Sequence, residues 1–265
     1  MPKKQWSLGS ISPDKLYKRS KDPHSGVVES SASMRQRLAD EGKPVICAFS
    51  RGKDSIAALI ALLSAGVDVV PVHLWRVPGL KFEEDSIKAM EDFFQMKIWN
   101  LPHRDFWYYL HEGISQAPWQ GAINLAANIQ EIPHDLMWSL FKEEQGLDPN
   151  TWVCDGIRAA DSPMRRMSIQ RNSPWTDSET KIAGEFYPKK FAHVVWDWKI
   201  KDIRECIEVN QVQLPIDYDL WGRTFDGLDY RFMAPMRDKL PDDYATVLEW
   251  FPAVEMEMMR YEWIR

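Results

Sequence analysis

The central feature of the sequence is the segment Pro44–Gly66, which reads PVICAFSRGKDSIAALIALLSAG. It opens with an apolar run, Val45–Phe49, that has the length and composition of a buried β-strand. A short polar loop follows, and then apolar residues recur at helical spacing over Ile56–Leu63. A strand, a tight loop and a helix bring free backbone N–H groups and the positive end of a helix dipole to one point. We therefore expect this loop to bind phosphate.

A second strand-like run, Val67–Trp75, comes directly after the helix. Two strands separated by one helix form a βαβ unit, so we predict parallel strands with a right-handed crossover. The loop Arg76–Gly79 then lies at the carboxyl end of the second strand. Ligands of open α/β sheets bind at this edge.

The remaining pattern predicts an α/β fold: a Rossmann-like open, mostly parallel sheet flanked by helices, with helical insertions and a C-terminal extension. The expected domains are an N-terminal arm (1–33), a nucleotide-binding α/β domain (34–225) and a helical extension (226–265). The elements expected after the first unit are helix 83–96, strand 98–102, two or three helices over 103–145, strand 151–156, a loop or lid over 168–190, strand 192–196, helix 201–210 and a helix near 242–251.

Composition excludes several classes of protein. The 265 residues are 45% hydrophobic and 27% charged, which is typical of a globular domain and not of a disordered chain. A net charge of −6 argues against nucleic-acid binding over the whole surface, but not against a local basic patch. The three cysteines are far apart and form no CxxC pair, so no zinc or iron–sulfur site is expected. Reduced cysteines and the lack of a membrane-length apolar run predict a cytoplasmic protein without membrane contact.

The N-terminal arm is basic. Among the first 21 residues, one acid, Asp14, stands against six basic residues: Lys3, Lys4, Lys15, Lys18, Arg19 and Lys21. Such an arm is either solvated and mobile or a tether to nucleic acid or to a partner subunit. Both interpretations stay open at this point.

The loop Ser50–Ser55 lacks the G-x-x-x-x-G-K-[ST] spacing of a Walker A motif. Its residue types nevertheless suit phosphate. The hydroxyls of Ser50 and Ser55 can donate hydrogen bonds to phosphate oxygens, and Gly52 allows the backbone to approach closely. Lys53 adds a mobile cation. The alternative is an ordinary polar loop between a strand and a helix.

Two further residues of the loop need separate explanations. Asp54 is unfavourable beside bare phosphate, so we expect it to help hold Mg²⁺ or to orient the donors of the loop. Arg51 adds positive charge, but it also requires a backbone conformation that accepts a side chain.

A second polar constellation, Gly156–Ser162, follows the predicted strand that ends near residue 156, so it should lie at the same edge of the sheet. Between residues 156 and 171 there is one acid, Asp161, and four arginines: Arg158, Arg165, Arg166 and Arg171. Guanidinium groups suit phosphate or sulfate dianions and can stabilise a departing pyrophosphate. The alternative is a solvated basic face with an internal pair between Asp161 and an arginine.

Together these motifs resemble the PP-loop ATP pyrophosphatases, also called adenine nucleotide α-hydrolases. The loop matches S-G-G-x-D-[ST] apart from Arg51, which replaces the first glycine. Within that superfamily the chain is similar to the phosphoadenosine-phosphosulfate (PAPS) reductase-like branch. That branch has a G-x-R-x-x-E-S segment, here Gly156–Ser162 with Asp161 in place of glutamate, and an Asp-Trp segment, here Asp197–Trp198. The resemblance covers roughly residues 44–225.

The resemblance implies an enzyme that binds ATP with Mg²⁺ and cleaves it between the α and β phosphates. It implies that Ser50–Ser55 hold the phosphates, with Asp54 near the metal, and that His73 and Trp75 flank the adenosine. The residues expected to contact phosphate or a second substrate are Gly156, Arg158, Arg165 and Arg166. The catalytic residues expected are Lys53, Asp54 and Arg158.

One departure from the branch affects the reaction. Sulfonucleotide reductases attack sulfate with a cysteine near the C-terminus, and no cysteine follows Gly222 in this chain. We therefore expect an enzyme that adenylylates an acceptor and releases pyrophosphate. The resemblance implies that the acceptor is in nucleic acid, as in DNA sulfur modification or the modification of phage DNA bases.

Two alternatives remain. One is a sulfonucleotide reductase that takes its thiol from a partner, and the other is a non-catalytic nucleotide-binding subunit of an assembly. The high content of tryptophan and methionine is compatible with a homo-oligomer.

Overall fold

The computed structural model describes residues 4–10, 29–112 and 133–263. Its strands are β1 (Val45–Ala48), β2 (Val69–Trp75), β3 (Trp99–Pro102), β4 (Val153–Asp155), β5 (Trp175–Ile182) and β6 (Glu185–His193). They form one six-stranded sheet in the order β3-β2-β1-β4-β6-β5.

Eleven helices occur in the described ranges. They are α1 (Ser31–Glu41), α2 (Lys53–Ser64), α3 (Lys81–Phe94), α4 (Arg104–Glu112), α5 (His134–Glu144), α6 (Pro163–Asn172), α7 (Ile200–Val209), α8 (Asp217–Trp221), α9 (Tyr230–Lys239), α10 (Pro241–Trp250) and α11 (Val254–Trp263). Each of these helices is too short or too polar to cross a membrane.

The pairing of the strands confirms the expected fold class. β1 pairs in parallel with β2 and with β4, and Cys47 lies opposite Cys154 in the second of these pairs. β4 pairs in parallel with β6, whereas β5 pairs with β6 in antiparallel fashion. Strands buried between layers of helices favour continuous apolar runs such as that of β1. The protein is therefore an α/β protein with a mostly parallel, Rossmann-like sheet, and the predicted parallel βαβ unit is present.

The chain divides into two compact units, one within Met1–His73 and Asp135–Gln213 and the other within Leu74–His134 and Leu214–Arg265. The centre of the first unit is α2, in which every residue of Ile56–Leu62 is 0% exposed. A helix that is apolar on all sides is stable only when it is covered on all sides. This burial fixes the position of the loop that precedes α2.

The second unit has its own aromatic core. Phe82 packs edge-to-face on Phe225, with ring centroids 5.7 Å apart, and Phe225 packs on Phe232 at 5.5 Å. Phe251 contacts Tyr109 in the same way at 5.6 Å. Such pairs add to the free energy gained from burying the rings.

The segment 168–190 differs from its prediction as a loop or lid. It contains the end of α6 and most of a regular hairpin formed by β5 and β6. Ala183 and Gly184 make the turn with φ angles of 51° and 97°, so both turn residues lie in the left-handed region that two-residue hairpins require. The predicted last strand, 192–196, is also wrong at its end, because β6 stops at His193.

Part of the expected N-terminal arm is anchored to α7. The Ser7 amide donates to the Asn210 side chain at 3.1 Å, and the Ser10 amide donates to Glu205 at 2.5 Å. Residues 11–28 of the arm lie outside the described residues, as do residues 113–132 of the predicted helices over 103–145. The division into an arm, a nucleotide-binding domain and an extension stays a prediction.

Replacing Phe232 with alanine tests the core of the second unit. We expect Phe232→Ala to lower the free energy of unfolding by about 3–5 kcal/mol, because the lost ring leaves a cavity. Phe186→Ala is the control, because Phe186 is 63% exposed and should change stability by no more than about 0.5 kcal/mol. Guanidinium denaturation monitored by tryptophan fluorescence measures both changes. Equal losses from the two variants would contradict this core.

Candidate functional site

Hydrogen bonds within the loop between β1 and α2 connect its beginning to its end. Gly52 is the N-terminal cap residue of α2 and has an extended backbone. The Ser55 hydroxyl donates to the Gly52 carbonyl at 2.9 Å, and the Ser50 hydroxyl donates to Ser55 at 3.1 Å. Gly52 provides no side chain to cap the helix, so the first-turn N–H groups lack the usual side-chain acceptor at this position. The predicted phosphate loop therefore begins a helix at the carboxyl end of β1, as expected.

Arg51 adopts a left-handed backbone, with φ of 63°, and is 0% exposed. This conformation raises the conformational free energy of a residue with a side chain by about 1–2 kcal/mol, whereas glycine adopts it without that cost. Arg51 therefore has a backbone conformation that suits glycine, at the position where the resemblance implies a glycine. The buried side chain packs inside the protein, which does not favour the predicted contact between Arg51 and a phosphate.

Five charged side chains form a continuous row at this edge of the sheet. Lys53 Nζ lies 2.8 Å from Asp54 Oδ2, and Arg158 Nε donates to Asp54 Oδ1 at 2.9 Å. Arg158 also pairs with Asp161 at 2.5 Å, and Arg165 pairs with the other oxygen of Asp161 at 2.7 Å. With three cations and two carboxylates the row carries a formal charge of +1. We call these five residues the charged row.

Exposure varies along the charged row. The Arg158 side chain is 6% exposed, whereas Lys53 and Asp54 are 31% and 29% exposed. Arg165 is 51% exposed. Arg158 is therefore the buried centre of the row, and Lys53 and Arg165 present their charges to solvent. Arg166, which also belongs to the predicted site, lies in the first turn of α6 and is exposed.

Gly156 brings the backbone after β4 against the first turn of α2. A Cβ atom at Gly156 would lie 2.5 Å from the Asp54 carbonyl oxygen and 2.9 Å from the Ser55 amide nitrogen. Real Cβ atoms essentially never approach other atoms so closely. Glycine is therefore required for the two predicted constellations to touch, and the structure brings them together.

The structure places His73 in the first unit and Trp75 in the second. His73 is 3% exposed, and its Nδ1 atom lies 3.0 Å from the Phe49 carbonyl, which ties β2 to the end of β1. Trp75 belongs to the second unit, where its ring packs on Phe106 with centroids 4.9 Å apart. These contacts are structural ones, and a role for either residue beside adenosine stays a prediction.

A histidine that the sequence analysis did not single out lies at the same edge of the sheet. His193 ends β6 directly opposite Asp155, which ends β4, and its Nδ1 atom lies 2.8 Å from the Asp155 carboxylate. The Asp155 carboxylate also accepts from the Ile157 amide at 3.0 Å. Burial lowers the pKa of His193, but the neighbouring carboxylate outweighs this effect and raises the pKa above its ordinary value. The sequence pattern gives no signal for this pair, because the predicted strand 192–196 places His193 inside a strand and not at its end.

The three cysteines are unsuited to nucleophilic chemistry. Cys47, Cys154 and Cys206 are each 0% exposed. Burial raises the pKa of Cys206 to about 12 and raises those of the other two as well, so the reactive thiolate is suppressed. Whether the chain takes part in reducing a sulfonucleotide stays a prediction.

The described residues contain no group of three or more histidine, cysteine, aspartate or glutamate side chains that could hold a metal ion by themselves. A magnesium ion bound here would therefore need phosphate oxygens as additional ligands, which is how proteins usually bind Mg²⁺ with nucleotides. The Asp54 carboxylate is the predicted protein ligand. It suits a hard cation chemically, but both of its oxygens are engaged by Lys53 and Arg158.

No protein-family model matches the sequence, and a search of curated proteins gives no match. Among solved structures, the chain is similar to Candida glabrata FMN adenylyltransferase in complex with FMN and the ATP analogue AMPCPP, at 11% identity and a TM-score of 0.44. That likeness covers 75% of this chain and 62% of the other. Other Candida glabrata structures of this enzyme are covered to 59–61% of their length.

Two further likenesses cover more of the other chain. Yeast FAD synthetase in complex with FAD has 10% identity and a TM-score of 0.42, with 82% of this chain and 77% of that chain covered. The NH3-dependent NAD synthetase of Campylobacter jejuni has the same identity and TM-score, with coverages of 87% and 91%. At these TM-scores, nothing about the activity of this chain follows from the likenesses.

The contact at Gly156 gives a testable prediction. We expect Gly156→Ala to lower the free energy of unfolding by about 1–3 kcal/mol, because the added methyl group has no space beside the backbone of α2. It should also speed hydrogen exchange of the Ile56 amide, which donates to the Gly52 carbonyl at 2.9 Å. Gly227→Ala is the matched control, because the nearest atom to its added Cβ would be 3.7 Å away. Unchanged exchange in Gly156→Ala would contradict the close contact.

Proposed function

We propose that the protein binds ATP with Mg²⁺ and transfers the adenylyl group to an acceptor, releasing pyrophosphate. The observation that carries this proposal is the contact between two loops at one edge of the sheet. The helix-initiating loop Ser50–Ser55 and the arginine-bearing segment Gly156–Arg166 meet through Gly156 and through the pair between Arg158 and Asp54. Loops at the carboxyl ends of parallel strands are where α/β sheets bind nucleotides.

The chemistry of the two loops suits the parts of a triphosphate. The start of α2, with hydroxyls and the half-buried Lys53, can hold phosphate oxygens by backbone and side-chain donors. Arg158 and Arg165 can take the charge that develops on pyrophosphate as the bond between the α-phosphorus and the bridging oxygen breaks. Removing a single positioned donor from such a site typically slows the reaction by about 10²–10³-fold. A magnesium ion carried by the nucleotide, with Asp54 as a protein ligand, would neutralise part of the phosphate charge.

The acceptor is proposed from the sequence and from the exposed arginines of α6. The sequence resemblance to the PAPS reductase-like branch and the basic N-terminal arm favour an acceptor in DNA or another nucleic acid. On the first unit, Arg166 and Arg171 are exposed on α6 and could meet such a polyanion. A reductase that borrows a thiol remains compatible with three buried cysteines, because the nucleophile would come from the partner. The cytoplasmic location also stays a prediction.

The products formed from α-labelled ATP test the proposal. With Mg²⁺ and DNA, RNA or small acceptors, we expect labelled AMP or an adenylylated product together with pyrophosphate. Lys53→Ala should weaken ATP binding, measured by equilibrium dialysis, by at least about tenfold, because an ion pair with phosphate is lost. Lys43→Ala is the matched control: Lys43 also pairs with an aspartate, Asp148 at 3.2 Å, but it is 67% exposed and away from the loop.

Three results would contradict the proposal in different ways. Formation of ADP and phosphate would mean cleavage at the wrong bond. Equal ATP affinity in Lys53→Ala and Lys43→Ala would mean that the loop does not hold the phosphates. Tight ATP binding without pyrophosphate release, for every acceptor, would indicate a non-catalytic nucleotide-binding subunit.

A further inference from the structure

His193 and Asp155 form a hydrogen-bonded pair that the proposed function has not used. The imidazole Nδ1 atom lies 2.8 Å from the carboxylate, and both side chains are largely buried, at 20% and 17% exposed. The Ile157 amide donates to the same carboxylate at 3.0 Å and fixes its orientation. When Nδ1 carries the proton and its N–H donates a hydrogen bond to Asp155, the other ring nitrogen, Nε2, is left as an acceptor. This is the arrangement by which a carboxylate positions a histidine base.

The order of the strands places His193 and Asp155 close to the proposed phosphate site. β1, β4 and β6 are consecutive parallel strands, and they end at Ala48, Asp155 and His193. Neighbouring strands are about 4.8 Å apart, so the ends of β1 and β6 are separated by about 10 Å. Asp155 immediately precedes Gly156, which touches the backbone of α2. The charged groups that face the imidazole are Asp155 on β4 and Arg165 on α6, the last member of the charged row.

We infer that His193 is the general base that removes a proton from the acceptor, positioned by Asp155. The inference rests on the proposed function and narrows the acceptor to a neutral hydroxyl or amine, because a carboxylate or phosphate acceptor has no proton to lose. The acceptor atom forms a bond to the α-phosphorus, and the bond from that phosphorus to the bridging oxygen breaks. The electron pair of that bond leaves with pyrophosphate. The proton passes from the acceptor to Nε2, and Asp155 stabilises the resulting imidazolium.

The pH dependence of the reaction has a defined sign. The base acts in its neutral form, so adenylyl transfer should increase as the pH rises through the pKa of His193 and then level off. Because Asp155 raises this pKa above the ordinary value, the increase should lie above pH 6.5. His193→Gln should slow AMP formation, with water as the acceptor, by about 10²–10⁴-fold and remove the pH dependence, while ATP affinity stays within about twofold. A rate that falls as the pH rises through this range would overturn the assignment of His193 as a base.

A second measurement does not depend on turnover. In ¹⁵N NMR of the histidine rings, we expect His193 to be protonated at Nδ1 when neutral and its pKa to rise when AMPCPP and Mg²⁺ are added, because the nucleotide is negatively charged. The signals that disappear in His193→Gln assign the resonances of this ring. AMPCPP binding without a shift at His193 would overturn the inference alone. No AMPCPP binding would overturn the proposed function and this inference with it.

Discussion

The two loops at this edge of the sheet depend on the ion pairs of one buried side chain, the guanidinium group of Arg158. At 6% exposure, it has little access to water, so it needs its two carboxylate partners, Asp54 at 2.9 Å and Asp161 at 2.5 Å. One partner belongs to the first turn of α2 and the other to the segment after β4. Removing Arg158 would leave both carboxylates without the cation that they share, whereas removing either carboxylate would leave the guanidinium with one partner. The two loops are therefore fixed to each other by the same residue that the proposed chemistry needs.

Much of this arrangement follows from short-range patterns in the sequence. The apolar run of β1 and the helical spacing after it predict the first loop, and parallel pairing brings the loop after β4 to the same edge. The contact of Gly156 with the backbone of Asp54 could not be predicted, because it depends on the exact separation of two strands. The pairing of Arg158 with Asp54 depends on side-chain rotamers, which sequence spacing does not determine. The burial and the left-handed backbone of Arg51 could not be predicted either, since arginine disfavours that backbone conformation.

The hairpin of β5 and β6 was missed for a different reason. Its strands carry many charged residues and form the end of the sheet, so they lack the apolar run that identifies a buried strand. Its turn, Ala183–Gly184, also lacks the Asn-Gly or Asp-Gly signal of a two-residue hairpin. With the hairpin interpreted as a loop, His193 was placed inside a short strand and not at a strand end. Its pairing with Asp155 is long-range and becomes visible only once β4 and β6 are neighbours.

The charged row is already paired within the protein, and this bears on how it could bind a triphosphate. Lys53 and Arg158 both contact Asp54, so phosphate oxygens would have to replace carboxylate oxygens as their partners. Such an exchange substitutes one charge-assisted pair for another, and the cations are held near their final positions before binding. Side chains that are already ordered lose less conformational entropy when the ligand arrives. The exchange would also release an oxygen of Asp54 for a cation that the phosphates bring with them. A row whose cations are already paired with carboxylates is therefore compatible with a nucleotide site. Its single excess positive charge favours an anionic ligand.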